Sequence, residues 1–270
     1  MPAHVIINRG RVGDRAPFMI RGAEVTGAAL ASRLSAQTTI VGVPEPAAND
    51  DWTESLPAAA DTLSELGCTL DAVMSRGDLP FVLSSTCSAS LATLPVVHRH
   101  HPEVAVLYID GHADFNTPQT GSGYLGGMVL SGACGLWETG YNGTLPVGQA
   151  AVIGSRDIDP GEANLMSEHG LRHLPPAAAT PRAVREVIGE RPVWIHVDWD
   201  VLDPGHIPAD YVVPDGILPD QLRDIFAAIP PAQLCGVELA EFNAPEDSAT
   251  AQSALEVLLG IVEPLTAAAA

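Results

Sequence analysis

The chain has 270 residues, 46% of them hydrophobic and 17% charged, with a formal net charge of −20. That balance supports a large buried core and excludes a disordered chain, while the excess of acid excludes a nucleic-acid partner, whose phosphates need a basic face. No apolar run approaches ~18 residues, so no membrane-spanning helix is expected. The stretch from Met1 to Ile20 carries arginines but no apolar core. It does not read as a signal peptide, which leaves the cytoplasm as the expected compartment.

In chain order, short β-branched runs predict strands at His4–Ile7 and Thr38–Val43, then a helix at Ala58–Leu66. Leu79–Leu83 reads as a strand, Ser88–His100 as a helix, and Ala105–Asp110 and Ala150–Ile153 as strands. Helical patterns follow at Pro160–His169 and Pro181–Ile188, a strand at Val193–Asp198 and a helix at Pro219–Ala228. A strand at Leu234–Leu239 and a helix at Ala249–Ala268 complete the series. Alternation of this kind predicts an α/β fold of three layers, α/β/α, around a mainly parallel central sheet. Several strands are apolar at every residue, as strands buried on both faces are. No repeat or linker interrupts the pattern, so residues 1–270 read as a single catalytic domain.

Ligands of open parallel sheets sit beyond the carboxyl ends of the strands. Three segments put polar residues there. In the first, an apolar strand ends in Asp110, with His112 and Asp114 at alternate positions and therefore on one side of extended chain. Two carboxylates and an imidazole without a basic neighbour need a cation among them, and hard oxygen ligands with one nitrogen suit manganese or magnesium. In the second, Val193–Pro204, a strand delivers Asp198 and Asp200; His196 shares their parity but lies inside the strand and reads as a hydrogen-bonded core histidine. Side by side, the two strands could hold two metals ~3.5–4 Å apart, enough to generate hydroxide at neutral pH. The third, Gly236–Pro245, offers Glu238 and Glu241, either of which could be a substrate-side acid or a loop charge. Cys68, Cys87, Cys134 and Cys235 are spaced for neither a disulfide scaffold nor a CxxC zinc site.

Asp-Gly-His-Ala-Asp at 110–114 and Val-Asp-Trp-Asp-Val-Leu-Asp-Pro at 197–204 resemble the paired metal signatures of the arginase, agmatinase and formimidoylglutamase (ureohydrolase) family. Glu241-Phe-Asn-Ala-Pro245 resembles its third block, and Gly154–Glu162 the segment that holds the substrate amino group. The resemblance runs in order through most of the chain. It implies the arginase-like fold and a manganese centre, one or two Mn²⁺ per chain, whose hydroxide attacks a guanidinium carbon. By position, it implies that Asp110 and Asp198 bridge the metals, that His112 and Asp200 complete one site, and that Asp114 serves the other. Glu241 would pair with the guanidino group, a bidentate geometry. Asp159 and Glu162 would hold an α-ammonium, and Asn116 and Ser122 an α-carboxylate, with one residue fewer between them than in the family. The implied partner is a small guanidino amino acid, and the expected state a monomer or small homo-oligomer.

Two positions depart from the family pattern. Cys87, in Ser84-Ser-Thr-Cys-Ser88, stands where the first metal-binding histidine belongs, and Gly126 where the proton-transfer histidine does. A thiolate is a softer ligand and a poorer match to manganese. Both departures, with Gly123–Trp137, resemble the branch of the family that hydrolyses N-omega-hydroxy-L-arginine to hydroxyurea and L-ornithine. An ordinary arginase is the alternative. The same two departures also admit a catalytically dead, metal-stabilised binding protein, against which the five retained ligand positions speak.

Overall fold

The computed structural model describes residues 1–121 and 123–267. Eight strands form one sheet: β1 (Ala3–Asn8), β2 (Gln37–Val41), β3 (Leu79–Leu83), β4 (Ala105–Ile109), β5 (Ala150–Ile153), β6 (Arg172–Leu174), β7 (Val193–Asp198) and β8 (Leu234–Ala240). Their order is β2-β1-β3-β8-β7-β4-β5-β6, and every pairing among the described residues is parallel.

The period-2 geometry of a strand sends neighbouring side chains to opposite faces, and here both faces are covered. Val5, Ile7, Phe81, Leu83, Leu107, Ile109, Ile195 and Val197 pack with residues of the helices Met19–Leu34, Pro181–Ile188, Pro219–Ala227 and Ser248–Ile261. Ile6, Val82, Val106, Tyr108, Val152 and Trp194 pack on the other side with the helices Ala60–Ser75, Ser90–His100 and Pro160–His169. The three-layer α/β/α reading is what the structure has. No helix among the described residues is long and apolar enough to cross a membrane.

The elements missed or misplaced by sequence have physical reasons. Helix Met19–Leu34 buries Gly22, Ala23, Thr26 and Gly27. Between Met19 and Leu30 its buried stripe is correctly spaced but made of small residues, so little apolar periodicity shows. Close packing demands them: a Cβ on Gly22 would fall 1.7 Å from the Phe242 carbonyl oxygen. The helix expected at Ala58–Leu66 is two, Trp52–Ala58 and Ala60–Ser75; the second continues because Leu63, Leu66, Leu70, Val73 and Met74 keep one buried stripe through Gly67-Cys68-Thr69. Edge strand β6 has three residues, none of them fully buried, and leaves no apolar run to find. The strand expected at Thr38–Val43 ends at Val41. The last helix divides into Ser248–Ile261 and Glu263–Ala267, where Pro264 lacks the N–H that would continue the first; Ala268 lies outside the described residues.

Candidate metal centre

The four central neighbours β3, β8, β7 and β4 bring the chemistry to one end of the sheet. β3 runs through Ser84–Thr86 into the tight turn Cys87–Ala89, and β8 into Glu241. β7 ends on Asp198 and turns through Asp200, and β4 leads into Asp110, His112 and Asp114.

Asp110 and Asp198 are built alike. The main-chain N–H of His112 donates to Asp110 Oδ1 at 2.7 Å, and that of Asp200 to Asp198 Oδ1 at 2.8 Å. Each aspartate thus anchors one oxygen on its own chain two residues on and turns the other inward: Cys87 Sγ lies 3.3 Å from Asp198 Oδ2 and 3.9 Å from Asp110 Oδ2. His112 Nδ1 meets Asp200 Oδ2 at 2.8 Å, while the Gly111 N–H donates to Asp200 Oδ1 at 2.8 Å. The Cys87 N–H donates to Glu241 Oε1 at 3.0 Å. Tyr108 donates its phenol proton to Asp114 Oδ2 at 2.6 Å. Asp114 and Glu241 both hold left-handed backbone, φ 49° and 64°, conformations that non-glycine residues avoid and that cluster at functional sites.

Electrostatics shows what the cluster lacks. Burial, then the neighbouring acids, pushes the carboxyls of Asp198 and Glu241 well above the usual carboxylate range, and Asp114 likewise. Burial and Asp110 push Asp200 up to about 6. The Cys87 thiol is raised by burial and by Asp198 and Asp110. Burial pulls His112 down, but its hydrogen bonds with Asp110 and Asp200 prevail and raise it to about 12. Among the described residues, no arginine approaches within 4 Å of these carboxylates. Acids this crowded, with a single imidazole among them, are stable when metal ions neutralise them. Two trios, Asp110–His112–Asp200 and Cys87–Asp198–Glu241, hold ligand atoms within 4.8 Å of one another, as does Cys87–Asp110–His196. The donors fit divalent ions. Asp114 lines the same pocket without joining such a trio.

A pocket of about 200 Å³ opens over this cluster. Asn116, Asp159 and Glu162 line it, with Asp157, Tyr124 and Tyr211, which sequence reasoning did not single out. Asp159 occupies the N-cap of helix Pro160–His169 yet makes no side-chain capping bond, so its carboxylate is available to the pocket. Glu162 is raised to about 7 by burial, partly offset by hydrogen bonds from main-chain groups, including the Phe115 N–H at 2.7 Å. Ser122 lies outside the described residues.

Glu238 is not a substrate-side acid. It pairs in register with His196 inside the sheet and accepts hydrogen bonds from Ser90 (2.9 Å) and Thr93 (2.8 Å). His196 is a buried, hydrogen-bonded core histidine as expected, stacked 4.2 Å from the Tyr108 ring. Its Nδ1 lies 3.1 Å from Ser90 Oγ and 3.4 Å from Glu238 Oε2, and its Nε2 3.2 Å from Cys87 Sγ. A buried chain from Glu238 through His196 therefore orients the sulfur. Gly126 has a local reason as well: a Cβ there would fall 2.5 Å from the Tyr124 ring, so the phenol fills the space a side chain at 126 would need.

A sheet with this site at its carboxyl edge defines an amidinohydrolase of the ureohydrolase type, and the chain belongs to the arginase family, whose model matches residues 11–262. It is similar to the N(omega)-hydroxy-L-arginine amidinohydrolase of Streptomyces lavendulae, 53% identical over 267 residues and 98% of each chain. The arginase of Bacillus caldovelox is 30% identical over 175 residues, 59% of this chain and 58% of its own. Among solved structures, Entamoeba histolytica arginase in complex with L-ornithine shares the fold with a TM-score of 0.84 at 19% identity, covering 97% of this chain and 99% of its own. Proclavaminate amidino hydrolase from Streptomyces clavuligerus does so at 0.75 and 17%, covering 100% and 93%. The chain is a hydrolase of guanidino-type C–N bonds in a family of binuclear metal enzymes.

Proposed function

We propose that this enzyme hydrolyses N-omega-hydroxy-L-arginine to hydroxyurea and L-ornithine, with Mn²⁺ as its metal. The observation that carries the reading is the 53% identity, sustained over 98% of both chains, to an amidinohydrolase named for that substrate. The donor set supports the metal: carboxylates and one imidazole dominate, with Cys87 the single soft ligand. When bound, two divalent ions supply hydroxide from water at neutral pH.

The residues divide the remaining work. Asp110 and Asp198 present one oxygen each to the space between the two ligand trios, and Asp200, His112, Asp114 and Cys87 complete the ligand set. Glu241, fixed by the Cys87 N–H, takes the planar cationic end of the substrate. Asp159 and Glu162 hold the α-ammonium, and Asn116 the α-carboxylate. Water adds its oxygen to the guanidino carbon, the bond from that carbon to the chain nitrogen breaks, and the chain nitrogen leaves with a proton as the amine of ornithine. The hydroxylated nitrogen stays on carbon. Tyr124 fills the room beside Gly126, so no side chain at 126 serves as a proton shuttle; an N-hydroxyguanidine is less basic than a guanidine and differs in its demand for one.

Mass analysis of the products after incubation with the manganese-loaded protein tests this. Hydroxyurea and ornithine in equal amounts are expected. Absence of both, with metal bound, overturns the assignment.

A further inference from the structure

The pocket is lined by seven acids, Asp114, Asp157, Asp159, Glu162, Asp198, Asp200 and Glu241, and among its described lining residues by one permanent cation, Arg15. Arg15 lies on the loop between β1 and helix Met19–Leu34. Asp157, Asp159 and Glu162 follow β5, five strands further along the sheet. The two signs of charge therefore enter the pocket from different sides.

Its neighbour on the same loop shows what an arginine with a structural duty looks like. Arg11 is 8% exposed, donates to the Asp50 carboxylate at 2.6 Å and to the Ala48 carbonyl at 3.1 Å, and is thereby satisfied. Arg15 is half-buried and donates only to the Asp50 main-chain carbonyl, at 2.7 Å; no carboxylate of the described residues lies within 4 Å of it. Asp50 is already committed to Arg11, and Asp51 caps helix Trp52–Ala58 through Thr53. Arg15 Nε is shielded from water yet has no hydrogen-bond partner. Among the described residues the guanidinium is thus incompletely paired, and a buried polar group left so is costly unless a ligand completes it.

The guanidinium is also held in a defined plane, 4.3 Å over the Tyr124 ring. Tyr124 belongs to the segment whose Gly127 carbonyl accepts the Asn116 N–H at 3.1 Å. Asn116 Oδ1, an acceptor, is a second buried polar atom on this pocket without a partner among the described residues. Arg15, Tyr124 and Asn116 are therefore linked parts of one wall, on which Arg15 Nε is the N–H donor without a partner among the described residues, with acids on the other side.

We infer that Arg15 is a specificity residue that binds the carboxylate of the substrate's amino-acid head. This rests on the proposed amino-acid substrate. The planar guanidinium suits a carboxylate in a way a lysine would not, and a site built to pair a charged substrate group discriminates against an analogue that lacks it.

The test compares N-omega-hydroxy-L-arginine with its decarboxylated counterpart, N-hydroxyagmatine, on wild type and Arg15→Gln. The ratio of kcat/KM for the amino acid over the amine should fall roughly 10- to 100-fold in the variant, with the change carried by KM because the contact is remote from the bond broken. L-Ornithine binding measured by calorimetry should weaken in parallel, and manganese content should not change. An unaltered ratio, or equal losses on both substrates, overturns the assignment of Arg15. If wild type hydrolyses neither compound, the proposed reaction has failed instead, and ornithine affinity still decides the point: equal affinity in wild type and Arg15→Gln removes Arg15 from the site.

Discussion

The two sides of the metal centre solve the same electrostatic problem differently. On the β4 side, Asp110 and Asp200 share His112, whose Nδ1 lies 3.6 and 2.8 Å from them, so an imidazole compensates their charge without metal and would ligate in its neutral form once an ion displaces the proton. On the β3 and β8 side, Cys87 faces Asp198 and Glu241 with no cation of its own, and the thiol is pushed up by burial and by these acids. The imidazole on that side, His196, stands one step behind the sulfur. One side is prepared for a hard divalent ion before it arrives; the other depends on the ion to make its acids tolerable. The two sites are thereby expected to differ in affinity.

Removing a residue common to both sides should have the largest effect. Asp110→Ala and Asp198→Ala are each expected to abolish turnover and metal retention, read by product formation and elemental analysis; an active, metal-free Asp198→Ala protein would falsify the two-metal account. Next is the support behind the sulfur. Partners that orient a ligand are worth roughly 10- to 100-fold in metal affinity, so His196→Ala should weaken the metal on the Cys87 side by that factor in a chelator titration while sparing the other. Loss of both metals together would mean that the sides are not independent. A smaller gain is expected from Cys87→His, which puts a harder donor at the weak side and should raise bound manganese toward about two per chain. Unchanged or lower content would make Cys87 a packed core residue.

The smallest effect concerns pH. Carboxyls raised in the folded state, Asp200 to about 6 and Glu162 to about 7, hold protons that the unfolded chain has already released. Their contribution to stability is present at low pH and lost as pH climbs through those values. His112, raised to about 12, acts in the same direction, contributing fully below its ordinary value of 6.5 and less above it. Chelator-treated protein should therefore melt about 5 °C or more lower at pH 8 than at pH 5. Manganese should reverse the trend, because metal binding displaces those protons. A Tm of the chelated protein that rises with pH would show that the acids are compensated from within.

The contrast between the two sides also marks what was legible in the sequence. The β4 side could be read directly, because Asp110, His112 and Asp114 sit at alternate positions after one apolar strand, and Asp198 and Asp200 repeat the device. The same apolar strands made the parallel sheet readable. Cys87 could be placed by motif, but its support could not: His196 and Glu238 meet through the register of β7 against β8, with Ser90 and Thr93 arriving from a helix. In sequence they are an isolated histidine and an isolated glutamate. Arg15 and Tyr124 are likewise more than a hundred residues apart along the chain, and only the approach of their loops joins them. Tyr124 also explains Gly126, which in sequence is merely a departure from the family pattern, by filling the space beside it.

The central claim, a manganese enzyme selective for the N-hydroxylated substrate, is tested most directly by competition. Manganese-loaded protein is given equal concentrations of N-omega-hydroxy-L-arginine and L-arginine, and hydroxyurea and urea are measured in the same sample at early times. Hydroxyurea in large excess over urea is the expected result; urea in equal or greater amount would identify an ordinary arginase and contradict the account.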